Sequence, residues 1–173
     1  ALGSPFDVAG AWLAGGRAMI RLEGMEGSVA YRAAALRAHL GGEWQVAGGA
    51  ESAALWTRLR DVEPFAGAPG AVWRLSMVPT AAAGVEAVLT AAGLPHRALY
   101  DWGGGLVWLL VDSPEAAAIR ALPGLGHATL VRPLPGMEDV PAFHPEPAAL
   151  AALTAGLRAK FDPRGLFNPG IMD

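Results

Sequence analysis

The chain contains no cysteine. Its own residues therefore cannot form disulfides, thiolate nucleophiles, zinc–thiolate sites or cysteine-ligated iron–sulfur clusters. That composition fits a reducing compartment, and a cytoplasmic location is the expectation. Charge is scarce as well: charged residues make up 17% and the net charge is −3. No basic patch marks a nucleic-acid partner. No apolar run reaches the length of a membrane span, and no basic stretch leads into a short hydrophobic run as in a secretory signal. None of His39, His96, His127 and His144 pairs with another at the i, i+4 spacing of a helical zinc site, so no metal is expected. There is no Gly-x-Gly-x-x-Gly between a strand and a helix, no phosphate-loop lysine and no Gly-x-Ser-x-Gly elbow. The chain carries no self-sufficient catalytic set. Half of a site, completed elsewhere, is what it can offer.

What is present is apolar. Hydrophobic residues make up 53% of the 173 positions, leaning on alanine, with 23 Gly and 14 Pro. That length fits one domain or one and a half. The chain lacks an initiator Met and opens in mid-flow at Ala1-Leu2-Gly3-Ser4-Pro5. It is expected to be a piece of a longer protein.

Residues 1–17, anchored only by Phe6 and Trp12, read as a lead-in segment with an edge strand. Alternation over 18–23 predicts a strand with Arg21 on one face and Ile20 and Leu22 on the other. Ser28 is placed as the N-cap of a helix over 29–40, ended by Gly41-Gly42. A short strand is expected over 43–47 and a helix over 51–61. The pattern then restarts, with a strand over 71–77 carrying Arg74, Thr80 capping a helix over 81–92, and Gly93 and Pro95 beyond its end. Strands over 96–101 and 106–111 join through Gly103-Gly104-Gly105 as a hairpin. Pro114 suits the first turn of a short helix ending near Leu122-Pro123-Gly124. A last strand covers 127–132, and a Pro-rich crossing leads to a final helix over 146–160.

The restart reads as two β-α-β units. It predicts an α+β fold of ferredoxin-like type, a mostly antiparallel sheet with helices packed on one face. In that arrangement the first strands of the two units lie side by side at the centre, and Arg21 and Arg74 point together from the uncovered face. Two readings of that pair are open. They are solvated side chains with partners such as Glu23, or a clamp on a carboxylate or phosphate held by planar guanidinium groups. His127, in Gly126-His127-Ala128-Thr129, is either a surface histidine or a base and anion donor. Trp102 either pins the hairpin turn with Asp101 bonding its backbone, or packs against a flat ligand. The remaining tryptophans fall at core spacing and read as packing.

The chain ends in Phe161-Asp162-Pro163-Arg164-Gly165-Leu166-Phe167-Asn168-Pro169-Gly170. Asp162-Pro163 stops the last helix, and two turns bracket Leu166-Phe167. This tail resembles the C-terminal D-P-x-x-x-x-N-P-G signature of FAD-linked oxidases of the vanillyl-alcohol oxidase type. Further stretches narrow the resemblance: Ile20-Arg21-Leu22-Glu23-Gly24-Met25-Glu26-Gly27-Ser28-Val29, Trp73-Arg74-Leu75-Ser76, Asp101-Trp102-Gly103-Gly104 with Leu106 and Trp108, and Gly126-His127-Ala128-Thr129. In this order they are similar to the second half of the FAD-binding subunits of bacterial glycolate oxidases, from about Pro5 to Met172.

The resemblance implies a cap domain over 18–135, preceded by the lead-in segment 1–17 from a missing FAD-binding domain. A C-terminal helix and tail over 136–173 would return toward that domain. It implies FAD as the cofactor of the whole protein, with Asn168 and Trp102 on the flavin side. Glycolate or another 2-hydroxy acid is the implied substrate, its carboxylate met by Arg21 and Arg74, with His127 as base or hydroxyl partner. A second flavoprotein subunit and an iron–sulfur subunit are the implied partners, with membrane association only through the complex. The piece alone is expected to be inactive. Two other readings stay open: a non-catalytic docking domain of such a complex, and a stand-alone ferredoxin-like ligand-binding module.

Overall fold

The computed structural model describes residues 1–168. The second tail turn, at Pro169-Gly170, lies outside the described residues. Six strands form one sheet in the order β2-β1-β4-β5-β3-β6. They are β1 Val8–Ala14, β2 Arg17–Leu22, β3 Ala71–Met77, β4 His96–Asp101, β5 Leu106–Val111 and β6 Leu125–Arg132. Every neighbouring pair is antiparallel. The α+β expectation holds, and β3, β4 and β5 fall where alternation and turn chemistry placed them.

The lead-in segment is the main correction. Gly15-Gly16 takes positive φ at both positions, the geometry of a two-residue hairpin turn, and pairs β1 with β2 from Ala14↔Arg17 onward. β1 is therefore an interior strand rather than an edge, and β2 becomes the edge. Because β1, β4 and β5 intervene, β2 and β3 do not lie side by side at the sheet centre as the ferredoxin-like reading required.

Helices cover both faces rather than one. The helices are α1 Glu26–Leu40, α2 Gly49–Arg60, α3 Glu63–Ala66, α4 Val85–Ala91, α5 Ala116–Arg120 and α6 Ala148–Phe161. On one face, Val85 and Leu89 of α4 and Ile119 of α5 pack on Trp73, Leu75, Val107 and Leu109. On the other, Leu59 of α2 and Phe65 of α3 pack with Trp12, Val72, Leu99 and Leu110. The cause is in β5, which is apolar on both sides and must be covered on both, joined by Trp73 and Leu75 on one face of β3 and Val72 on the other. Burying a Leu side chain such as Leu109 stabilises the fold by about 1.5–3 kcal/mol.

Smaller differences follow local chemistry. Residues 43–47 form no strand: Trp44 Nε1 folds back to donate to the Gly41 carbonyl at 2.6 Å. α1 starts at Glu26 with Met25 at its N-cap, so Ser28 lies inside the first turn. A carboxylate at Glu26 suits that positive helix end. Pro79, with φ already fixed for a turn, begins a 3-10 segment over Pro79–Gly84 ahead of α4, and Thr80 is not an N-cap. Pro114 stands two residues before α5, with Glu115 at the N-cap. α6 buries none of its residues.

Candidate functional site

The α2-bearing face carries one side chain from alternate positions of each strand. Cross-strand pairing runs Arg21 opposite Gly10, Trp12 opposite Met19, Leu99 opposite Trp108, and Trp108 opposite Arg74. All of these point to one side, because directly paired residues share a face. An open cavity of about 550 Å³ lies over them. Arg21 and Arg74 both line it, with Trp12, Trp108, Trp56 of α2 and Trp102. The pair anticipated from the sequence is thus brought to one cavity, from the edge strand and the fifth strand rather than from adjacent central ones.

Gly10 shapes one wall. The Trp56 ring lies over it, 3.5 Å from where a Cβ would stand. Arg21 then stacks on Trp56 with its guanidinium carbon 5.5 Å from the ring centroid. Its charge is engaged by Glu23 at 2.6 Å. Arg60, also in the lining, is held by Asp61 at 2.7 Å. Their mutual hydrogen bond raises the Arg60 pKa and lowers that of Asp61.

Arg74 differs. It is half-buried, flanked across the sheet by Trp108 and Thr129, and lies 5.6 Å from the Trp102 ring centroid. Among the described residues it has no carboxylate partner. Cation–π contacts orient a guanidinium without neutralising it. The cavity therefore holds one guanidinium outside any ion pair, set among aromatic walls, with Asp101, whose Oδ1 accepts the Trp102 amide, in the same lining.

Trp102 is held in a costly conformation. It is 63% exposed and takes φ +51°, a backbone region unfavourable for a bulky residue by about 1–3 kcal/mol. Asp101 Oδ1 accepts the Trp102 amide at 2.7 Å, as the turn-pinning reading anticipated. Gly104, at φ +98°, allows the turn to lie against the Pro79 carbonyl, which an added Cβ would meet at 2.7 Å. The turn thus fixes an exposed indole over Arg74.

The other anticipated residues lie elsewhere. His127 is exposed on β6 opposite Ser76, outside the lining of this cavity. Asn168 sits at φ +49° at the end of the tail, in a shallow cleft with Leu157, Phe161 and Phe167. There the Asp162 carboxylate accepts the amides of Leu166 and Phe167 at 2.9 and 2.8 Å, and these bonds lower its pKa. The wall residues Trp12, Trp56 and Trp108 read from the sequence as packing. Trp108 was hidden because β5 is apolar on both sides, so alternation does not tell a cavity wall from a core. Among the described residues no group of three or more His, Asp or Glu could hold a metal ion. No helix in them is long and apolar enough to cross a membrane.

No protein-family model and no solved structure matches the chain. It is, however, similar to the glycolate oxidase subunit GlcE of Escherichia coli (strain K12): the two are 39% identical over 155 residues, which is 88% of this chain and 38% of that protein.

Proposed function

We propose that this chain is the substrate-side cap of an FAD-linked oxidoreductase subunit acting on glycolate or a related 2-hydroxy acid. The observation that carries the proposal is Arg74, a guanidinium in no ion pair among the described residues and set among aromatic walls, in a chain similar to a glycolate oxidase subunit. A carboxylate is the ligand such a group prefers, through paired N–H donors of fixed geometry.

Arg74 binds the carboxylate of the acid. Arg21, its charge already met by Glu23, stacks on Trp56 and forms part of the opposite wall. Trp12, Trp56 and Trp108 keep water from the bound acid, which strengthens that interaction. The exposed indole of Trp102 fits the face or edge of a flat ring system, and FAD held by the rest of the protein would supply the two-electron acceptor. We assign no proton transfer to His127, which stands outside the cavity.

Residues 18–135 then form the cap, and 136–173 the helix and tail that reach the FAD-binding part. The exposed apolar stripe Leu153, Leu157, Phe161 and Phe167 supports that second assignment. It also favours a second reading, in which this end docks the second flavoprotein or iron–sulfur subunit of a complex.

The test is Arg74→Met in the full-length assembled protein. The Michaelis constant for glycolate should rise about 10- to 100-fold, the loss of one charge-assisted pair. An unchanged constant rules out the carboxylate role.

A further inference from the structure

We infer that the cavity selects an aryl-substituted 2-hydroxy acid, of the 3-phenyllactate class, over the two-carbon acid glycolate. The inference rests on the carboxylate reading of Arg74 and goes on from it to the rest of the cavity.

The argument is one of fit. Glycolate has two carbons and three oxygens. At the ~30 Å³ that liquid water gives each non-hydrogen atom, it takes up about 150 Å³. The cavity holds about 550 Å³. Anchored at Arg74, a two-carbon acid leaves most of the aromatic wall in water. That wall is extensive: Trp108 directly across the strand from Arg74, Trp12 beyond it, and Trp56 lying over Gly10. Aromatic rings pack on one another offset or edge-on, with a gain beyond area burial alone. A ring two bonds from the carboxylate-bearing carbon reaches Trp108 while its carboxylate stays on Arg74.

The polar groups agree. Arg21 and Arg60 are already paired with Glu23 and Asp61, and the Asp101 carboxylate in the lining accepts the Trp102 amide. Among the described residues this leaves Arg74 as the one cation of the lining outside an ion pair, at one end of an apolar floor. That pattern suits a monoanion with an apolar body. It does not suit a dianion, which would need a second cation outside an ion pair. Convergent aromatic walls with one oriented charge are the usual form of a small-molecule site.

The test is titration of this chain, followed by tryptophan fluorescence and calorimetry, with 3-phenyllactate, glycolate and riboflavin as probes. 3-Phenyllactate should bind at least about tenfold more tightly than glycolate. Arg74→Met should weaken both acids by a similar factor. Trp102→Ala, at an exposed position that leaves the core intact, should weaken both acids through the loss of Arg74 orientation. Trp56→Ala should erase the preference while the chain keeps its circular dichroism spectrum. Glycolate binding as tightly as 3-phenyllactate, and still sensitive to Arg74→Met, overturns this inference and leaves the proposed function standing. Displacement of 3-phenyllactate by riboflavin also overturns it, because the aromatic floor then belongs to a flavin ring. Binding of neither acid overturns both readings.

Discussion

Arginine does two kinds of work in this molecule, and the difference is decided by what surrounds each side chain. Arg132 is structural. Its guanidinium donates to the carbonyls of Phe65, Ala66, Ala68 and Gly70, at 2.5–3.2 Å, gathering the end of α3 and the loop that enters β3. Arg32 ties the N-terminal segment by donating to the carbonyls of Phe6, Asp7 and Glu23. Arg120 donates to those of Pro141 and Phe143 while lying over Trp73. Arg74 makes none of these bonds. Arg132→Met should therefore destabilise the fold by about 2–3 kcal/mol, since hydrogen bonds to charged groups are strong and several carbonyls lose their donor. Urea unfolding would show the fall in midpoint. Arg74→Met should leave that midpoint nearly unchanged. Asp162 gives a pH prediction. The amides of Phe167 and Leu166 hold its pKa below the ordinary carboxylate range. The stability it contributes is present above the unfolded-state pKa of about 3.9 and is lost as pH falls through the lower folded-state value. The protection of the Leu166 and Phe167 amides, relative to their intrinsic exchange rates, should be lost only as pH falls through that lower value, and Asp162→Ala should remove this protection at every pH.

At the scale of elements, the strongest contrast is between the sheet and α6. β3 and β5 were legible because Ala71–Met77 and Leu106–Val111 are bounded by turn residues and rich in β-formers. The β1–β2 hairpin was legible in principle from Gly15-Gly16, a two-residue turn signal. It was masked by the small side chains of the lead-in segment, which gave no clear alternation. The strand expected over 43–47 failed because Trp44 bonds back to Gly41. α6 was placed nearly in full, yet it buries nothing. Removal of residues 146–173 should therefore leave the urea midpoint of the remaining chain unchanged. Within the core, Leu109→Ala should cost about 2–5 kcal/mol, the usual range for a large-to-small change at a fully buried position. A midpoint that falls as far on truncation as on Leu109→Ala would show that α6 packs on the core.

For the whole molecule, the sheet is unevenly sewn. β1 and β4 meet at only two residue pairs, Leu13↔Tyr100 and Ala14↔Leu99, whereas β3 pairs with β5 over six. The cavity spans that narrow seam, with Arg21, Trp12 and Trp56 on one side and Arg74, Trp102 and Trp108 on the other. Local opening follows the elements with the fewest buried contacts. Native-state hydrogen exchange should show the β1–β2 hairpin opening at lower free energy than β3, β5 and β6, and a ligand bound in the cavity should slow exchange in both parts. Equal protection of hairpin and sheet without ligand would refute a separable hairpin.

The residues themselves determined the α+β class, the positions of β3, β4, β5 and α6, and the exclusion of thiol chemistry. These follow from composition and local rules: alternation and turn chemistry. Strand order did not follow, because it depends on which distant edges pair, and Gly15-Gly16 turned a presumed lead-in into an interior strand. Nor did the cavity. Only the folded chain laid Trp56 over Gly10, held Trp102 at positive φ beside Arg74, and engaged Arg21 and Arg60 with carboxylates. The sequence could name two arginines, but tertiary packing decided that Glu23 engages Arg21 while Arg74 stands outside any ion pair among the described residues.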